Sequence, residues 1–102
     1  MHYVFRSRAD ADLIMMAPVG DQLLRIIGRV PSARGIIEAA ALPAAIQAIE
    51  AAVAADRREQ ARDEKAEEDP KEPGIGLAQR AWPMLEMMKR ALAEKTDIVW
   101  GV

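Results

Sequence analysis

The run Asp97-Ile98-Val99-Trp100-Gly101-Val102 constrains this chain most. A helix pattern stops just before it, and a β-branched, aromatic triplet then reads as a strand in the last residues. Terminal residues fray unless something ties them down, so an apolar strand there is expected to be paired into a sheet. Both tryptophans, Trp82 and Trp100, fall in this closing segment. The fold is therefore anchored from its end.

The rest of the chain supplies partners for that strand. Tyr3 to Ser7 alternates apolar and polar residues, and after a turn at Arg8-Ala9-Asp10-Ala11 the run Asp12 to Met16 has strand length, so the two read as a hairpin. A short helix follows, with Pro18 in its first turn, Asp21 placed to suit the helix dipole, and Val19, Leu23, Leu24 and Ile27 at helical spacing. Gly28 is expected to cap it in the left-handed conformation, and Pro31 prevents its resumption. Ile36-Ile37-Glu38-Ala39 suits a third strand. A second helix begins at about Leu42, with Leu42, Ile46, Ile49 and Val53 as its stripe and Ala45 and Ala52 beside it. The last helix offers Leu77, Ala81, Met84, Leu85, Met88 and Leu92 on one face. Pro83 disturbs it, which predicts either a kink between Gln79 and Pro83 or a start near Trp82.

These elements give the order β-β-α-β-α-α-β. The expected architecture is a two-layer α+β domain over residues 1–102, with a small four-stranded mixed or antiparallel sheet and three helices mainly on one face. At 102 residues one hydrophobic core suffices without disulfides or metal. Alanine makes up 20 of the apolar residues, which implies closely packed helices. Beyond Val53 large apolar residues vanish, and residues 56–72 carry eight acids and five bases, a local net of −3. Helix propensity allows an exposed helical arm past Arg62. Pro70, Pro73, Gly74 and Gly76 then punctuate a linker, so residues 56–76 read as a charged, mobile helix end and connection.

Composition also excludes. No cysteine is present, which removes thiolate nucleophiles and zinc-thiolate sites and leaves the redox compartment unreadable. Net charge is −2, far from the basic surface that phosphate-backbone binding needs, so nucleic acid is disfavoured as a partner. The N-terminal residues lack the apolar core of a signal peptide, and a cytoplasmic protein with no membrane partner is expected.

Several blocks in order carry a family likeness: Tyr3-Val4-Phe5-Arg6-Ser7, Asp12-Leu13-Ile14-Met15, the run Gly20-Asp21-Gln22-Leu23-Leu24-Arg25-Ile26-Ile27-Gly28, Arg34-Gly35-Ile36-Ile37-Glu38, Arg80-Ala81-Trp82-Pro83, and the Trp100-Gly101 ending. Together they resemble a bacterial family known only as a domain of unknown function, number 1840. That resemblance implies a small, largely proteobacterial cytoplasmic protein and assigns no reaction, ligand or catalytic residue.

Candidate chemistry is sparse. His2, the sole histidine, sits beside Met1, where a catalytic base lacks a held geometry. Ser7, Ser32 and Thr96 lie in no nucleophile motif. Asp10, Asp12, Asp21 and Glu38 suit turns, a helix start and a strand face better than a magnesium site. No catalytic, metal or cofactor residue is expected. Arg25, Arg29 and Arg34 bracket Gly28 and Gly35, with Arg6 and Arg8 approaching from the hairpin; paired guanidinium donors recognise phosphate and carboxylate, so this cluster is the candidate small-anion site. Trp82 and Met87, the latter off the expected helix stripe, are the candidate interface, with a homo-oligomer or another protein as partner. A non-enzymatic interaction module is the leading expectation, and an anion binder or sensor the alternative.

Overall fold

The computed structural model describes residues 2–66 and 76–101. Four strands, β1 (His2–Ser7), β2 (Asp10–Met16), β3 (Gly35–Ile37) and β4 (Ile98–Trp100), combine with three helices, α1 (Ala17–Ile26), α2 (Leu42–Ala66) and α3 (Leu77–Ala93). The fold is α+β in the expected order. Every strand pairing is antiparallel, and the sheet runs β2-β1-β4-β3. The closing strand is therefore internal: β4 pairs with β1 through Phe5 and Arg6 on one side, and with all three residues of β3 on the other. Without it, β3 has no connection to the hairpin.

Alternation along the strands sends one set of side chains into the core. Phe5, Met15, Ile37, Ile98 and Trp100 are buried on that face, with Tyr3 and Leu13 packed against them. Tyr3 stacks on Phe5 at 5.5 Å, and Phe5 meets Trp100 edge to face at 5.6 Å, arrangements that suit aromatic quadrupoles. Two of these rings lie against glycines. A methyl group at Gly35 would collide with the Trp100 indole, and one at Gly20 with the Tyr3 ring. The two ring edges are also fastened, since the Trp100 indole N–H donates to the Ser32 carbonyl at 3.0 Å and the Tyr3 hydroxyl donates to Asp21. The Asp21 carboxylate thus anchors the hairpin to α1, a task distinct from the dipole role expected of it.

Helix α1 closes as foreseen. Gly28, at φ 83, takes the left-handed position, with Gly28 N–H to Arg25 at 3.0 Å and Arg29 N–H to Leu24 at 2.8 Å, the paired bonds of a Schellman cap. The third strand is shorter than expected, ending at Ile37, because Glu38 turns the chain into a 3-10 turn at Ala39–Ala41. The Asp97 carboxylate accepts the Ala39 N–H at 2.7 Å and ties that turn to the start of β4.

In α2, Leu42, Ala45, Ile46, Ile49 and Val53 are buried, as the stripe implied. By length and composition alone, Ala39–Glu59 is apolar enough to cross a membrane, with hydropathy 1.3. Here its large side chains are the core stripe, and most of its remaining apolar residues are alanine. The helix continues to Ala66, past Asp56, whose carboxylate accepts the N–H of Leu77 at 3.0 Å. Gly76, at the N-cap of α3, has no side chain for this, so the neighbouring helix supplies the cap. The linker expected through Pro70, Pro73 and Gly74 lies outside the described residues.

Helix α3 starts at Leu77 and contains Pro83, so the alternative start near Trp82 is not adopted. Its buried residues are Leu77, Ala81, Met84, Met87, Met88 and Ala91. Compared with the expected stripe, Met87 and Ala91 are in, while Leu85 is half-buried and Leu92 exposed. At about 100° per residue this rotates the inward face by roughly 40°. The reason is that α3 packs against both α2 and the sheet, so its apolar arc is centred between two neighbours.

Candidate functional site

With the helix layer on one side, the other face of the sheet has no covering element among the described residues. It presents His2, Val4 and Arg6 from β1, Asp12, Ile14 and Met16 from β2, Val99 from β4 and Ile36 from β3. Ile14 is 67% exposed, Met16 62% and Ile36 39%. Register places Val4 opposite Ile14, and Val99 between Arg6 and Ile36. The result is an apolar surface crossed by the charged pair Arg6 and Asp12, at 3.3 Å.

A groove of about 620 Å³ opens at the end of the sheet where β1 leaves and β4 begins. Arg6, Ser7 and Arg8 come to it from the hairpin; Lys95, Thr96 and Asp97 come from the α3–β4 connection, with Val99 beside them. Local structure explains both sides. Between Phe5 and Ser7 the ladder slips by one residue, so Arg6 faces both Ala11 and Asp12; such bulges redirect side chains at sheet ends. On the other side α3 ends in a second Schellman cap, with Lys95 N–H to Leu92 at 3.1 Å and Thr96 N–H to Ala91 at 2.9 Å. The residue in the left-handed position is Lys95, at φ 54.

Acids around the groove are engaged. Asp10 accepts Arg90 at 2.8 Å and the Ala11 N–H at 2.8 Å. The backbone bond chiefly, then the Arg90 bond, holds the Asp10 carboxyl below the usual carboxylate range. Asp12 meets Arg6, and Asp97 holds Ala39.

The residues singled out in the sequence fare differently. Arg25, Arg29 and Arg34 are all exposed. Arg29 alone of the three lines the 380 Å³ crevice between α1 and α2, whose other walls are Ile26, Ile27, Gly28, Ile37 and alanines. Arg25 stands near Tyr3, and Arg34 packs beside Gly101. Trp82 is 62% exposed, on a helix away from the open sheet face, whereas Met87 is buried at 1%. The expectation that Met87 faces outward is thus corrected by the rotation of α3. Asp10, Asp12 and Asp21 each have separate partners, and among the described residues no group of three or more His, Cys, Asp or Glu is placed to hold a metal. Sequence reasoning missed Lys95: the left-handed position after a helix is signalled by glycine, and none is present.

A four-stranded antiparallel sheet with helices on one face defines a small α+β protein with an open sheet surface. The chain belongs to the family described as Domain of unknown function (DUF1840), which it matches over residues 1–100. No curated protein and no solved structure matches it.

Proposed function

We propose that this protein is a non-enzymatic interaction module of the bacterial cytoplasm that self-associates through the open face of its sheet. The observation that carries the reading is the set Ile14, Met16 and Ile36, exposed together on a sheet face that no helix covers among the described residues. The same face carries both signs of charge, Arg6 and Asp12 side by side at 3.3 Å, which lets a second copy related by a two-fold axis exchange these partners. Size fixes the strength. Four strands about 4.8 Å apart and some five residues long give a footprint of roughly 300 Å² per copy, against about 800 Å² per partner in a standard stable interface. The dimer is weak and forms only as concentration rises. This reading moves the interface from Trp82 and Met87 to the sheet. The bacterial and cytoplasmic assignments come from the family likeness.

Sedimentation equilibrium from low to high micromolar concentration tests it. The weight-average mass rises toward twice the monomer in the native chain, and Ile14→Glu holds it at the monomer. A native chain that stays monomeric across that range sinks the reading.

A further inference from the structure

We infer that the groove between the β1–β2 turn and the α3–β4 connection binds a small, multiply charged phosphate-bearing anion, held by Arg6, Arg8 and Lys95. The inference does not rest on self-association: it needs no second copy and shares only Arg6 with the open face.

Three cations from two distant parts of the chain meet at one cavity. Arg6 is offset by Asp12, but Arg8 and Lys95 have no such acid among the described residues, and in a protein of net charge −2 bringing these cations together needs a cause. The carbonyl end of α3 accounts for a cation at Lys95, but Arg6 and Arg8 belong to the hairpin and serve no helix end. Among the described residues one acid, Asp97, lines the groove, and one of its oxygens already accepts the Ala39 N–H. The hairpin acids are both engaged, Asp10 with Arg90 and Asp12 with Arg6. Neither Arg8 nor Lys95 has an ion pair among the described residues.

The backbone gives a second, independent sign. Lys95 is the sole non-glycine residue at positive φ among the described residues, in the position that Gly28 fills at the end of α1. A side chain in the left-handed conformation is disfavoured where glycine is not, and such strain persists at ligand sites. Lys95, held there, lines the same groove as Arg6 and Arg8.

The donors select the ligand class. Two guanidiniums, one ammonium and the hydroxyls of Ser7 and Thr96 offer more donors than the two oxygens of a carboxylate can use, and match a phosphate or diphosphate with its several oxygens. A 620 Å³ groove admits a ligand larger than the phosphate itself.

Calorimetric titration of the whole chain with sodium pyrophosphate at low ionic strength, and with citrate as a carboxylate comparison, tests the site. Pyrophosphate is expected to bind more tightly than citrate. Arg8→Gln weakens it about tenfold, the loss of one charge-assisted bond. Arg25→Gln, which removes the same charge elsewhere, leaves it unchanged. Lys95→Gly weakens binding by a similar factor while raising the melting temperature, so loss of fold is not the cause. The inference is overturned if millimolar pyrophosphate gives no binding, if Arg8→Gln and Lys95→Gly bind as the native chain does, or if citrate binds as tightly.

Discussion

The two faces of one sheet are built from the same residue types for opposite ends. On the covered face Phe5, Ile37 and Ile98 are at most 1% exposed, and two glycines are cut to the shape of aromatic rings. On the open face Ile14, Ile36 and Met16 keep much of their area in water. Hydrophobic residues that a strand needs for its propensity do not all join the core; the proposed self-association rests on those left exposed together. The comparison predicts that substitutions on the covered face change stability, and those on the open face change association.

The largest effect tests the strand common to both faces. Because β4 lies between β1 and β3, removing residues 97–102 takes Ile98 and Trp100 from the core and leaves β3 unpaired. We expect no cooperative thermal transition. A sharp melt by circular dichroism in the truncated chain would show that β1 and β3 have another connection.

Next comes a matched pair. Ile98→Ala, at a fully buried site, should cost about 3 kcal/mol, within the range for large-to-small core changes. Ile14→Ala, at 67% exposure, should change stability by no more than about 0.5 kcal/mol while reducing self-association. Urea midpoints compare the two, and equal losses would erase the distinction between the faces. Gly35→Ala follows at about 1–3 kcal/mol, since overpacking moves the Trp100 ring off its bond to Ser32. Near-ultraviolet dichroism of the tryptophans should weaken with it.

How much of this was legible in the sequence depended on range. The α2 stripe was readable because Leu42, Ile46, Ile49 and Val53 recur at helical spacing and face a single layer. The inward face of α3 was read about 40° out of true, because its contact with two neighbours is a property of the assembled fold. The hairpin and the Gly28 cap were local and legible. The central place of β4 was not, since strand order is set by pairings between the two ends of the chain. Asp56 left a partial signal: Gly76 has no capping side chain, so Leu77 needed an acceptor from elsewhere. The groove left none, for Arg8 and Lys95 meet only once β1 and β4 have paired.

The smallest effect lies at the margin of the covered face, where Tyr3 reaches out of the aromatic row to Asp21. Its hydroxyl donates to a carboxylate, and that bond, followed by burial and by the Asp21 charge, raises the Tyr3 pKa above its ordinary 10.0, with Arg25 opposing. The sign follows from linkage. A group whose folded pKa is raised contributes its full stabilisation below the unfolded value, here pH 10.0, and loses it as pH climbs through the folded value. Stability should therefore fall above pH 10, while Tyr3→Phe should cost roughly 1 kcal/mol at neutral pH and flatten that alkaline fall. Because phenylalanine keeps the ring against Gly20 and Phe5, the change isolates the hydroxyl. An alkaline fall of equal depth in Tyr3→Phe would assign that fall to another titrating group and not to the Tyr3–Asp21 bond.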